Sequence, residues 1–136
     1  MAEKLPESIR QILEQPYIAH IVTLMPDGSP HVTPVWVDTD GEFVYINTVE
    51  GRRKTRNMHR DSRVALSVLD PQDPHQAAVQ IRGKVVEMTP QGAEEHADRL
   101  AQKYIGQERY TMGAPGEVRL QIKIQPEWVK GPTNGG

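Results

Sequence analysis

The sequence contains no cysteine, one phenylalanine and two tryptophans in 136 residues. Without thiols there are no disulfides, no thiolate metal sites and no cysteine nucleophile. Aromatic residues are too few for the stacked platforms of a single-strand nucleic-acid binder. The formal net charge of −2 lacks the basic excess of such proteins. No run approaches the ~20 apolar residues of a membrane-spanning helix. Met1–Glu7 lacks the basic-then-apolar order of a signal peptide, so a soluble cytoplasmic protein is expected, with no nucleic-acid partner and no membrane insertion. His20, His59, His75 and His96 show no metal-ligand spacing, so no metal site is expected. The hydrophobic fraction, 37%, is also low. A core this thin gains from burial against a second copy or around a cofactor.

What is present reads as one domain over residues 1–129 and a flexible polar tail over 130–136. Leu5–Gln15 has a helical apolar face of Leu5, Ile9, Ile12 and Leu13, stopped by Pro16. Ile18–Met25, Pro30–Asp38 and Phe43–Thr48 are strands separated by Pro26-Asp27-Gly28-Ser29 and Thr39-Asp40-Gly41, which predicts a three-stranded antiparallel meander. Arg52–Arg60 forms a short helix, and Val64–Leu69 and Ala77–Met88 form two more strands. Gly83 marks a bulge or a close backbone approach. Thr89-Pro90 predicts a helix start, followed by the stripe Ala93, Ala97, Leu100 and Tyr104. Gly106–Gly116 is a loop carrying Tyr110 and Met112. Val118, Leu120, Ile122 and Ile124 alternate with polar residues as a half-buried sixth strand. Six strands pairing locally, with short helices between them, make a mainly β, partly closed antiparallel barrel.

Six of the 16 basic residues, Arg52, Arg53, Lys54, Arg56, Arg60 and Arg63, lie within twelve positions. Arg52, Arg53 and Lys54 fall in the first turn of their helix, where the macrodipole already favours negative charge. Cations there repel the helix end unless an anion joins them, and unpaired backbone N–H groups would add to its grip. Thr48 ends the preceding strand and offers a hydroxyl nearby. The second unusual feature is Pro34 within Pro30–Trp36. It removes a ladder donor, so this strand is an edge, a bulge or a place where something else, such as a flat ring, lines it.

These segments carry a resemblance. Asp27-Gly28-Ser29-Pro30-His31-Val32-Thr33-Pro34-Val35-Trp36, Tyr45-Ile46-Asn47-Thr48, Arg53-Lys54-Thr55-Arg56-Asn57 and Asp61-Ser62-Arg63-Val64 resemble the pyridoxine-phosphate-oxidase-like split β-barrels, especially their small F420-dependent reductases. The resemblance runs from about Ile9 to Trp128. It implies a six-stranded split barrel, a homodimer with a cofactor at the subunit interface, and a small-molecule substrate. His31, Val32, Thr33, Pro34 and Val35 would line a tricyclic ring, and Ile46, Asn47 and Thr48 would lie beneath a ribityl chain. Arg53 and Lys54 would hold a phosphate with Asn57 in support. His31 is the candidate proton donor, and Trp128 and the Pro74–Val79 segment would arrive from the partner chain. The cofactor implied is coenzyme F420, whose acidic tail suits Arg52, Arg56 and Arg60, with FMN as the alternative. The activity implied is hydride transfer to an electron-poor conjugated molecule; a non-catalytic flavin, deazaflavin or haem carrier is the alternative outside enzymology.

Overall fold

The computed structural model describes residues 4–132; Met1–Glu3 and residues 133–136 of the expected tail lie outside it. Helix α1 spans Glu7–Glu14 and buries Ile9, Ile12 and Leu13. It ends because Gln15 precedes Pro16 and is forced into an extended conformation, ψ 155°. Strands β1 (Ala19–Leu24) and β2 (Pro30–Val35) form the first hairpin. Its turn needs Gly28 at φ +87°, and Asp27 Oδ1 braces it by accepting from Ser29 N at 2.9 Å.

The expected second strand is broken. Trp36 separates β2 from a short β3 (Val37–Thr39), so there are seven strands where six were expected. Strand β3 pairs with β4 (Val44–Val49), not with the first hairpin. The meander therefore becomes two hairpins. Helix α2 (Arg53–Arg60), β5 (Arg63–Leu69), β6 (Ala78–Thr89), α3 (Ala93–Ile105) and β7 (Arg119–Lys130) complete the chain.

The sheet order is β2-β1-β5-β6-β7-β4-β3, every pairing antiparallel. Strands β2 and β3 stand at opposite ends of this order with only Trp36 between them in the chain. The sheet must therefore curl until its ends meet at Trp36. Away from that point the edges diverge. Strand β3 accompanies β4 only to the pair Val37↔Ile46, and β2 pairs with β1 alone. The gap between the free edges of β2 and β4 is the split in an α+β split barrel.

Alternation drives this closure. Ile21, Val37, Val44, Ile46, Ile122 and Ile124 are fully buried on the inward face, each contributing ~1.5–3 kcal/mol before the entropy of ordering is charged against it. At Gly83 the β6–β7 register shifts, and a Cβ there would run into the carbonyl oxygen of Gln125. The close approach expected of this glycine is what the structure has. Helix α3 begins later than Thr89-Pro90 suggests. Thr89 still pairs with Gln121, its hydroxyl accepts from Gln91 N at 3.1 Å, and the helix starts after Gly92. The stripe Ala93, Ala97 and Leu100 is buried as expected, joined by His96 and Ala101.

Candidate functional site

The split opens into a cavity of about 320 Å³. One wall is the broken strand, with Pro34, Val35 and Trp36; the other is the end of β4, with Asn47 and Thr48. The start of α2 contributes Arg52 and Lys54, and α3 contributes Ala97 and Leu100. Tyr110 and Met112 come from the 106–116 loop, and Arg119 opens β7. The cavity thus pairs an apolar, aromatic wall with a cationic mouth.

At that mouth α2 has no acidic residue in its first turn and no side-chain cap. The first backbone N–H groups of a helix have no intrahelical acceptor, so they face outward here. Lys54 Nζ donates to Thr33 Oγ1 at 3.3 Å, and no carboxylate pairs with it among the described residues. Burial, reinforced by the charge of Arg52, pushes its pKa below the ordinary lysine range. A half-buried ammonium without a counter-ion costs free energy that a bound anion would offset.

The other cations of the cluster divide by partner. Arg52 reaches Glu117 at 3.9 Å. Arg60 donates to the Leu24 carbonyl and to Asn57 Oδ1, fastening α2 to the first hairpin. Arg63 grips Asp61 at 2.8 Å and, chiefly through that hydrogen bond, holds its carboxyl at about 2. Arg56 is exposed and Arg53 half-buried beside the mouth.

Of the residues expected at a ligand, Pro34, Val35, Asn47, Thr48 and Lys54 line the cavity, and Thr33 touches it through Lys54. His31 is half-buried, with Nδ1 lacking a hydrogen-bond partner among the described residues, and is not in the cavity wall. Val32 lies on the outward face, 58% exposed. The Ile46 side chain sits in the core. Buried Asn57 donates to Thr23 Oγ1 at 3.0 Å, bracing β1 against α2. Thr55 gives its hydroxyl proton to Val49 O at 2.7 Å. Thr48 must then be the donor in the 3.3 Å Thr48–Thr55 contact. Its oxygen is left to accept, not donate, toward a ligand.

Behind the wall runs a network that the sequence did not disclose. Arg119 Nη1 donates to Asn47 Oδ1 at 2.8 Å, which fixes the amide, since a guanidinium only donates. Asn47 Nδ2 then donates to Ala93 O at 2.8 Å and to His96 Nδ1 at 3.2 Å. With Nδ1 accepting, the ring proton sits on Nε2 and is shared with Asp38 Oδ1 at 2.9 Å. The Arg119 guanidinium lies 4.2 Å over the Tyr110 ring, and Nη2 reaches the Tyr110 hydroxyl at 3.3 Å. Trp36 stacks on Tyr104 at 5.2 Å and meets Tyr110 edge-on at 6.1 Å. Tyr104 is pinned in turn: its hydroxyl accepts from Val37 N at 3.1 Å and donates to Tyr17 O at 2.7 Å, with burial pushing its pKa up to about 12. The aromatic wall is thereby tied to the bend that splits the barrel.

Comparison with known proteins agrees with this architecture. The family model for pyridoxamine 5′-phosphate oxidase matches residues 5–131. An F420 reductase superposes with a TM-score of 0.80 at 29% identity, over 93% of this chain and 98% of that one. A conserved hypothetical protein from Mycobacterium tuberculosis superposes at 0.72 with 22% identity, over 96% and 86% of the two chains. General Stress Protein 26 from Bacillus anthracis does so at 0.69 with 14% identity, over 93% and 92%. No curated protein matches the sequence.

Proposed function

The chain belongs to the pyridoxamine 5′-phosphate oxidase family, and from that membership and the cavity we propose that it is an F420-dependent oxidoreductase acting on an electron-poor conjugated small molecule. The observation that carries this reading is Lys54, an ammonium turned toward the cavity with no carboxylate to pair it among the described residues. The donor set suits a flat ring linked to a phosphate. Lys54, Arg53 and the first N–H groups of α2 would take the phosphate. Thr33, Pro34 and Val35 would present an unpaired strand edge to the ring, and Trp36 would close its apolar side. Thr48 would accept from a chain hydroxyl. Both donors of Asn47 are engaged, so its part is to hold Arg119.

The bound deazaflavin would supply the hydride, and the protein's work is orientation, charge and exclusion of water. His31 remains the candidate proton donor, adjacent in sequence to the ring-facing residues but outside the cavity wall. F420 is preferred over FMN on the likeness to an F420 reductase and on exposed Arg56, which has no ion-pair partner among the described residues and would meet acidic groups beyond the phosphate.

A homodimer fits the same reading. Val22, Val32, Ala65 and Trp128 lie together on the outward face of the barrel, Trp128 42% exposed. A second copy covering that face would bury the patch and bring its own Trp128 and Pro74–Val79 segment near the neighbouring split.

The deciding experiment titrates purified protein with F420 and with FMN, then screens quinones, unsaturated carbonyls and tetrapyrroles for oxidation of the reduced winner. F420 binding with turnover of at least one acceptor is expected. Exclusive FMN binding would move the cofactor assignment, and binding without turnover of any acceptor would make the protein a carrier.

A further inference from the structure

We propose that Arg119 is a carboxylate-recognition point for the molecule that accepts the hydride, and that Glu117 is an internal carboxylate holding its place. The substrate class this names, a conjugated carboxylic acid, rests on the oxidoreductase reading above. Arg119 is only 12% exposed, yet it lines the cavity. Asn47 and Tyr110 engage one N–H each, and the ring of Tyr110 supports the guanidinium plane. Three of its five N–H groups are left over.

The carboxylate beside it is poorly held. Glu117 Oε2 stands 3.7 Å from Arg119 Nη2 and Oε1 3.9 Å from Arg52 Nη2, both too long for hydrogen bonds. Oε2 is shut off from solvent and has no hydrogen-bond partner among the described residues. A desolvated carboxylate oxygen in that state is less stable than one in water. A ligand carboxylate able to make paired short hydrogen bonds to the guanidinium would displace it. Glu117 directly follows the 106–116 loop and is partly exposed, so it has a route to solvent.

What lies next to the guanidinium sets the rest of the ligand. Trp36 and Tyr110 meet edge-on in an aromatic corner of the cavity beside Arg119, which offers apolar contact to a planar conjugated system ending in a carboxylate. Arg119 belongs to β7 and packs on the loop, whereas the phosphate cations belong to α2. Its anion is therefore assigned to the acceptor and not to the cofactor's acidic tail.

The test is calorimetric, with trans-cinnamate and its methyl ester as probes, on the protein alone and on protein saturated with F420. The acid is expected to bind about tenfold more tightly than the ester. Arg119→Gln should abolish that preference and Arg119→Lys should keep part of it. Glu117→Gln should tighten cinnamate several-fold and leave the ester unchanged. Equal binding of acid and ester, binding of neither, or weaker cinnamate binding in Glu117→Gln would each overturn the proposal. Arg119→Gln that weakens F420 while preserving the acid preference would also overturn it, giving Arg119 to the cofactor. Failure of F420 itself to bind is read in a separate titration and bears on the oxidoreductase reading alone.

Discussion

Replacing Lys54 with methionine removes the ammonium at the cavity mouth while keeping a stem of similar length. Among the described residues that ammonium has one hydrogen bond, to Thr33 Oγ1 at 3.3 Å, and no carboxylate partner. At least one of its three N–H groups is therefore available to a phosphate. Losing a charge-assisted hydrogen bond in a half-buried site costs ~1.5–3 kcal/mol, which is roughly a 10- to 100-fold rise in Kd. Stability should not fall, because burial already disfavours the charge; the thermal midpoint should hold or rise. A pH signature accompanies this. Lys54 gives up its proton below the ordinary lysine range, so wild-type affinity should weaken on the alkaline side, and Lys54→Met should lack that limb. Absorbance titration with F420 across pH, alongside thermal melts, reads all three quantities. Affinity within twofold of wild type in a well-folded variant would refute the reasoning, as would a loss of binding matched by a loss of fold.

Gly83→Ala should destabilise the fold by ~1–3 kcal/mol through overpacking against the Gln125 carbonyl, measured by urea unfolding; an unchanged midpoint would show that β6 and β7 can part there. Lys103 donates to Leu13 O at 2.6 Å and Val37 O at 2.5 Å, and burial lowers it from 10.5 to about 8 against the pull of Asp38 and Glu14. The folded chain releases this proton before the unfolded chain does, so the wild type should gain stability from about pH 8 toward pH 10 relative to Lys103→Met. A flat difference across that window would contradict the assignment. Val32→Glu, on the outward face, should leave the thermal midpoint of the isolated chain intact and shift the protein to monomer mass in gel filtration; a wild type already at monomer mass would remove the dimer.

Local chemistry was legible where it is read within a few residues. The Asp27-Gly28 turn, the alternation of Leu120, Ile122 and Ile124, and the crowding at Gly83 follow from side-chain period and backbone sterics. The cations of α2 were legible because three of them oppose a helix dipole. The break at Trp36 was not, because an alternating pattern specifies which face is buried and says nothing of which strand is the partner. The buried network was hidden for the same reason. His96 meets Asp38 from 58 positions away and Asn47 from 49, and Arg119 meets Asn47 from 72. In the sequence His96 is one of five scattered histidines, and Arg119 is one polar residue of a half-buried strand. The pairing of β4 with β3 and with β7, and the packing of α3 across them, make these residues neighbours.

The central claim is that the mouth of α2 grips a phosphate. A crystal structure with F420 tests it most directly. It should place the phosphate within hydrogen-bonding distance of Lys54 Nζ and of the first backbone N–H groups of α2, with the ring along Thr33–Val35. F420 bound elsewhere, with Lys54 still turned to water, would contradict it.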